Sequence, residues 1–280
     1  MLEGLTFYFG WEVSLIEWLQ QHLASLSSVA GYVSMLGEEM ILVAILGFLY
    51  WCWDKELGKF VGVNIVIGVV LNPMLKNIIP RRRPYFDNNS IECLKPVDSG
   101  ADIYDITAQG YSFPSGHSTN SAIVYGSLSA GRSKNRLLPV LAFVIPFLVG
   151  ISRVMLGVHY PTDVICGWAL GAIVVLVCSR LQRKIKNQNL FHAILFLIAL
   201  CGVFFCRTSD YFTGLGLMAG LFLSFPFEAR FVKFQTTRNP LRIVLRLVVG
   251  IVLFLGLNTL LKLPFSSDFL ASATQGAFLV

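Results

Sequence analysis

Ser152-Arg153-Val154-Met155-Leu156-Gly157-Val158-His159-Tyr160-Pro161-Thr162-Asp163 sets an arginine, a histidine and an aspartate between two apolar runs. Those runs, 137–152 and 162–179, read as membrane spans, since roughly 20 apolar residues cross a bilayer core. Ionisable groups at the edge of hydrocarbon are costly and are functional candidates by default. Pro161 suits a first helical position. Asp163 then falls in the first turn, where the helix dipole favours a carboxylate, and it can reach back to His159. Gly157 gives the intervening loop a tight turn. The stretch reads as a phosphate-handling unit: His159 attacks phosphorus, Asp163 holds His159, and Arg153 grips the phosphate.

The rest of the composition agrees with a membrane setting. The 280 residues are 55% hydrophobic and only 14% charged, where a soluble domain has about 25% charged residues. Mean hydropathy is +0.68. The expected fold is all-α, a polytopic transmembrane helix bundle. About eight spans are expected, at 29–51, 57–79, 116–131, 137–152, 162–179, 190–206, 211–228 and 242–262. Met1–Gly10 has no basic residue, unlike a cleaved signal peptide. Three parts follow: an N-terminal interfacial helix (1–28), a catalytic transmembrane core (29–182) and additional C-terminal helices (183–280).

Loop charge orients the bundle. With the N-terminus outside, the cytoplasmic loops hold 14 of the 22 Lys and Arg, from Lys55 and Lys59 through Arg132, Lys134 and Arg136 to Arg246. They hold only three acids, Asp54, Glu56 and Glu228. The positive-inside rule puts both termini and the His159 stretch on the non-cytoplasmic face of the cell membrane.

Residues 10–26 place Leu15, Trp18, Leu19, Leu23 and Leu26 on one helical stripe. Charged and amide residues break it too often for a span. A helix lying on the outer leaflet fits, anchored by Trp11 and Trp18, with His22 on its polar face. Glu38 and Glu39 sit inside the first span and need a partner, either a basic residue of the site or a neighbouring helix. The six cysteines show no metal-ligand spacing and read as packing residues. Cys93 and Cys206 share the outer face, which leaves a disulfide between them open. Gly167 with Gly171, and Gly216 with Gly220, are small-xxx-small pairs suited to close helix packing.

Two further segments supply what the opening stretch lacks. The second span ends in Lys76-Asn77-Ile78-Ile79-Pro80-Arg81-Arg82-Arg83-Pro84. Pro80 stops the helix. A basic run on the outer face contradicts positive-inside, which gives Lys76 and Arg83 a role, while Arg81 and Arg82 read as snorkelling to lipid phosphates. Residues 85–113 follow as a solvated outer loop, whose sharper reading is a lid that sorts substrates. Tyr111-Ser112-Phe113-Pro114-Ser115-Gly116-His117 then opens the third span. Backbone N–H groups at such a helix start make an anion site. Gly116 lets the anion approach the backbone, and His117 follows within reach of it.

Together, Lys76-x6-Arg83-Pro84, Pro114-Ser115-Gly116-His117 and Ser152-Arg153-x5-His159-x3-Asp163 resemble the type 2 phosphatidate phosphatase superfamily at every signature position. The resemblance covers roughly 57–175 and leaves the N-terminal helix and last three spans outside it. The superfamily also resembles vanadium haloperoxidases, which are soluble, and the spans count against that branch. The eight-span layout is similar to the sphingosine-phosphate phosphatase and glucose-6-phosphatase branches.

The resemblance implies a metal-independent lipid phosphatase needing no cofactor. The substrate anion docks among Lys76, Arg83, Arg153, Ser115 and the Gly116 backbone. His159 forms a phosphohistidine, Asp163 fixes its tautomer, and His117 protonates the leaving oxygen. The implied partner is a membrane lipid phosphate or diphosphate within the bilayer, such as phosphatidate, an isoprenyl diphosphate or a sphingoid-base phosphate. No nucleic acid is expected as a partner. The alternative keeps the site and passes the phosphate to an acceptor other than water.

Overall fold

The computed structural model describes residues 4–131 and 136–262. The basic residues Arg132 and Lys134, the side chain of Lys262 and the apolar stretch 264–280 lie outside the described residues. The described residues are helical, with one isolated parallel bridge between Leu5 and Arg81. The expected all-α membrane bundle is what the chain forms.

The helices, in order, are α1 (Gly10–His22), α2 (Ser27–Met35), α3 (Glu39–Phe48), α4 (Lys55–Ile78), two single turns α5 (Pro84–Asp87) and α6 (Ile106–Gln109), α7 (Gly116–Gly131), α8 (Leu137–Met155), α9 (Pro161–Lys184), α10 (Gln188–Leu200), α11 (Ser209–Phe227) and α12 (Pro240–Lys262). Each of the eight expected spans overlaps at least one of these helices, the first overlapping both α2 and α3. By length and apolarity, four are able to cross a membrane: α4, α8, α9, and α11 with its continuation to Val232. A fifth is the pair α2–α3, bent by 42° at its break. α7 has 16 residues and α10 has 13, both short for a bilayer crossing.

Local chemistry explains the ends. The Asp54 carboxylate accepts from Leu57 N at 3.0 Å and starts α4. Pro80 stops it, as expected, and α4 ends at Ile78. Pro161 occupies the first turn of α9. Gly157 adopts φ of +72°, in the left-handed region that glycine tolerates, and a Cβ there would meet Glu92 O at 2.2 Å.

The main core lies where α4, α7, α9, α10 and α11 meet, around Val63, Ile67, Val70, Ile123, Val174, Tyr211 and Met218. A polar tie crosses it: Asn64 Nδ2 donates to Ser127 Oγ at 2.9 Å, and Gln182 Nε2 donates to Asn64 Oδ1 at 2.8 Å. Interhelical hydrogen bonds of this kind contribute about 0.6–2 kcal/mol each. A second cluster, with Ile16, Tyr85, Val154, Leu156, Val158 and Tyr160, underlies the loops around the His159 stretch.

Several expectations change here. On α1, Trp11, Leu15 and Trp18 are exposed as anchors should be, but Leu19 and Leu23 turn inward with Ile16 onto the second cluster. Glu12 is fully buried there. His22 stacks on Trp18 at the exposed face. Glu38 finds its partner in the outer loop, as a salt bridge to Lys95, and not in the phosphate ligands. All six cysteines are free. Cys93 packs in the second cluster and Cys206 in the main core, so no disulfide joins them.

The glycine pairs divide. A Cβ on Gly171 would lie 2.6 Å from Ala122 Cβ and 2.8 Å from Thr119 O, and one on Gly167 would lie 2.7 Å from Ser115 O. This pair presses α9 onto α7, as expected. Gly216 and Gly220 meet nothing within 4 Å. In α11 the close contact is instead at Gly214, against Val69 O of α4 at 2.8 Å. Gly171→Val should therefore destabilise the solubilised protein by about 1–3 kcal/mol, through overpacking. Gly216→Ala and Gly220→Ala should leave stability unchanged or raise it by about 0.5–1 kcal/mol, through helix propensity. Thermal unfolding in detergent measures all three.

Candidate active site

Four helix ends and two loops bring the expected residues together. Lys76 comes from the last turn of α4, and Arg83 from the segment after Pro80. Ser115, Gly116 and His117 open α7, Arg153 lies in the last turn of α8, and His159 and Asp163 flank Tyr160–Pro161 at the start of α9. Asn72 in α4 fastens the α7 entrance by donating to Pro114 O at 3.3 Å and Thr119 Oγ1 at 3.1 Å. Ser115 N donates to Asp163 O at 3.0 Å, which sews α7 to α9 at the catalytic end. Ser115 Oγ accepts from Ser118 Oγ at 2.9 Å.

The arginines are pre-set by neutral acceptors. Arg83 Nη1 donates to Val158 O at 3.0 Å, and its Nε to Gln109 O at 3.0 Å and Gly110 O at 3.1 Å. Arg153 Nη1 donates to Ser34 Oγ at 2.8 Å. Such contacts hold the guanidinium groups in place without neutralising them. Of seven buried side-chain polar atoms without a hydrogen-bond partner among the described residues, five are Tyr50 OH, Arg82 Nε, Tyr85 OH, His192 Nδ1 and Glu228 Oε2, and the other two are Arg153 Nε and His117 Nε2. A buried donor left unpaired costs about 1–3 kcal/mol. These last two belong to residues expected to meet the substrate phosphate.

His159 is 2% exposed and Asp163 fully buried. Burial pushes the His159 imidazole well below its usual pKa, and the charges of Arg83, Arg153 and Lys76 push it the same way. His159 is thus the free base at neutral pH. Its Nδ1 faces Asp163 Oδ2 at 3.6 Å and Ser112 Oγ at 3.3 Å. The other ring nitrogen, Nε2, takes no part in these two contacts.

At 3.6 Å the His159–Asp163 contact is an ion-pair distance and not the direct hydrogen bond that an orienting carboxylate makes. Ser112 flanks the contact: its hydroxyl donates to Asp163 Oδ2 and also reaches His159 Nδ1. Tyr160 N donates to the same oxygen at 2.8 Å. Ser112 stands in the quoted run before His117 but carries no spacing rule that marks it.

Arg81 corrects the snorkelling reading. It is 1% exposed. Its Nη1 donates to Asp163 Oδ1 and Thr162 Oγ1, each at 2.7 Å, and its Nη2 to Glu12 Oε2 at 2.8 Å. Arg82 is also tied internally, with Asp87 Oδ1 at 3.1 Å. Aspartates of the outer loop cap their own turns: Asp98, Asp102 and Asp105 accept from Gly100 N, Tyr104 N and Thr107 N.

Residues 58–187 match the PAP2 superfamily, and residues 212–280 match the transmembrane extension of PAP2 superfamily phosphatases. Phosphatidylglycerophosphatase B of Bacillus subtilis is 31% identical over 180 residues, covering 61% of this chain and 78% of that protein. The chain belongs to the PAP2 superfamily. It is an integral membrane phosphatase of that superfamily. Other PAP2 relatives include the undecaprenyl-diphosphatase of Sulfolobus acidocaldarius, 25% identical, with 62% of this chain and 79% of that one covered. The decaprenylphosphoryl-5-phosphoribose phosphatase of Mycobacterium tuberculosis is 31% identical, with 51% and 72% covered. A crystal structure of a transmembrane PAP2 type phosphatidylglycerolphosphate phosphatase from Bacillus subtilis aligns with a TM-score of 0.47 and 28% identity, over 64% of this chain and 90% of that one. The PAP2 match to 212–280 brings the last two of the three C-terminal spans, expected at 211–228 and 242–262, into the family, and leaves the one at 190–206 outside the matched regions.

Ser112→Ala removes a hydrogen bond to a buried carboxylate, worth about 1.5–3 kcal/mol. Phosphate release at saturating substrate should fall roughly tenfold to a hundredfold, with KM nearly unchanged, because Ser112 touches none of the phosphate ligands. Steady-state kinetics of the purified variant checks this.

Proposed function

We propose that the protein hydrolyses a lipid phosphate or diphosphate at the non-cytoplasmic face of the cell membrane, through a phosphohistidine formed on His159. The observation that carries this reading is the convergence of Lys76, Arg83 and Arg153 around His159, with His117 Nε2 and Arg153 Nε buried and unpaired. Membrane helices flank the site, which favours a substrate that stays in the bilayer. Relatives named for phosphatidylglycerophosphate, undecaprenyl diphosphate and a decaprenyl-linked sugar phosphate support the same class. Loop charge supports the sidedness. The N-terminal helix, the core to residue 182 and the C-terminal helices act as one unit in this reading, since Glu12 reaches the core.

The chemistry follows from the geometry. The phosphate docks among Lys76, Arg83, Arg153, Ser115 and the Gly116 N–H. Arginine suits bidentate phosphate oxygens and lysine adds a point charge. These groups meet the charge that develops on the equatorial oxygens. His159 Nε2 attacks in line, and the bond from phosphorus to the lipid oxygen breaks. The arriving anion favours the protonated form of His117, which gives its proton to the leaving oxygen. In the second step His117 takes a proton from water as it attacks phosphorus, and inorganic phosphate leaves His159 as the free base. Asp163 balances the imidazolium charge in both steps, as in a serine-protease triad.

His159→Ala should lower phosphate release from every lipid that wild type hydrolyses by about a thousandfold or more. Radiolabelled substrate should leave an acid-labile label on wild type and none on this variant. Phosphate release by wild type across a panel of lipid phosphates, with no acceptor present, should persist in EDTA. EDTA-sensitive turnover, or turnover only when an acceptor is added, would overturn the reading.

A further inference from the structure

The strongest group outside the phosphate ligands joins the N-terminal segment to Asp163. Residues 5–9 run beside the segment after α4: Leu5 N donates to Pro80 O at 2.6 Å, and Arg82 N donates to Leu5 O at 3.0 Å. This places α1 so that Glu12, fully buried, faces Arg81. Each carboxylate oxygen of Glu12 is used. Oε2 accepts from Arg81 Nη2 at 2.8 Å and Phe9 N at 2.9 Å. Oε1 accepts from Thr162 Oγ1 at 2.6 Å and Thr162 N at 3.1 Å. The Arg81 guanidinium also lies over the rings of Tyr160 (4.0 Å) and Phe7 (4.7 Å), and its Nε donates to Phe7 O at 2.9 Å.

Charges therefore alternate along one buried line: Glu12 negative, Arg81 positive, Asp163 negative, then the His159 imidazole. Arg81 alone would cancel the field that Asp163 presents to His159. Glu12 offsets Arg81 and leaves one net negative charge beside the ring. A buried ion pair that did no more than hold α1 in place would not need Arg81 to bond the same carboxylate that faces the nucleophile.

We propose that Glu12 is a positioning residue for the reaction, setting through Arg81 the net charge that Asp163 presents to His159, so that the N-terminal segment belongs to the catalytic apparatus. The proposal rests on His159 as nucleophile. The groups that face His159 are Asp163 and Ser112 at Nδ1, together with Arg83, Arg153, Lys76 and His117. Those facing Glu12 are Arg81 and Thr162. None of the phosphate ligands contacts Glu12 among the described residues, so its charge acts on the ring and not on substrate binding.

The sign is fixed by the geometry. Removing the Glu12 charge leaves Arg81 uncompensated, which disfavours the imidazolium and lowers the pH at which His159 becomes the free base. The acid limb of kcat/KM moves to lower pH, by about half a unit or more. The cationic ring of the phosphorylation transition state is also less stabilised, so kcat falls about tenfold or more. KM stays within about twofold, since the anion ligands are intact.

The test compares pH–rate profiles of wild type, Glu12→Gln, Glu12→Asp and Glu12→Gln/Arg81→Gln in the full chain, in detergent micelles with one phosphatidylglycerophosphate substrate. Substrate ionisation is then common to all four. Glu12→Gln should lower kcat and shift the acid limb downward, while Glu12→Asp should keep the wild-type limb. The double variant, which has no uncompensated Arg81, should return the limb toward wild type. If Glu12→Gln does not accumulate in folded form, the double variant carries the test, and a limb displaced downward there would overturn the proposal. So would an unmoved limb in Glu12→Gln, or a KM that rises with kcat intact. His159→Ala in the same series separates the two ideas: if it retains activity, the nucleophile reading fails by itself.

Discussion

The carboxylate of Asp163 is the joint on which the site turns. It is fully buried, where a lone charge is expensive, and it is satisfied by groups from three separate segments: Arg81 after α4, Ser112 before α7, and Tyr160 N beside it. Its own backbone carbonyl accepts from Ser115 N. One residue therefore registers the end of α4, the start of α7 and the start of α9 against each other. Lys76 and Ser115, at the end of α4 and the start of α7, take their spacing from that registration.

The cations pose the opposite problem. Lys76, Arg83 and Arg153 repel one another, and burial adds to the cost. The chain meets this with neutral acceptors, the carbonyls of Val158, Gln109 and Gly110 and the hydroxyl of Ser34, which orient the guanidinium groups without cancelling them. In the proposed reaction an entering phosphate would relieve the repulsion and meet the unpaired Arg153 Nε together, in keeping with electrostatic preorganisation.

Much of this was legible in the sequence, because residue type and spacing state it directly. His159 and Asp163 lie four apart across a helix start, Lys76 sits one turn before a proline, and Gly116 opens a helix beside His117. What was hidden depends on contacts between distant segments. Arg81 looks the same as Arg82 and Arg83 in a basic run, and nothing local tells that it turns inward. Glu12 breaks an amphipathic stripe, which reads as a surface feature until α1 is seen to pack against α8 and the second cluster. Ser112 is a loop serine with no periodicity. Gly216 and Gly220 show the converse: a good pattern with no partner helix against it. Spacing reports the chemistry of one segment, whereas partner choice is a property of the packed bundle.

The reach of Glu12 to Thr162 and Asp163 has a further consequence, for the order in which the molecule is made. The residue that offsets Arg81 emerges among the first, and the residues it steadies lie 150 positions later in the chain. Contacts of such long separation form late, after the loop between them is closed. Until α9 has been inserted, Arg81 has neither carboxylate arranged around it and His159 has no ordered support. A nascent chain therefore lacks both the registered helix ends and the support around His159 until the N-terminal segment folds back onto the far end of the core.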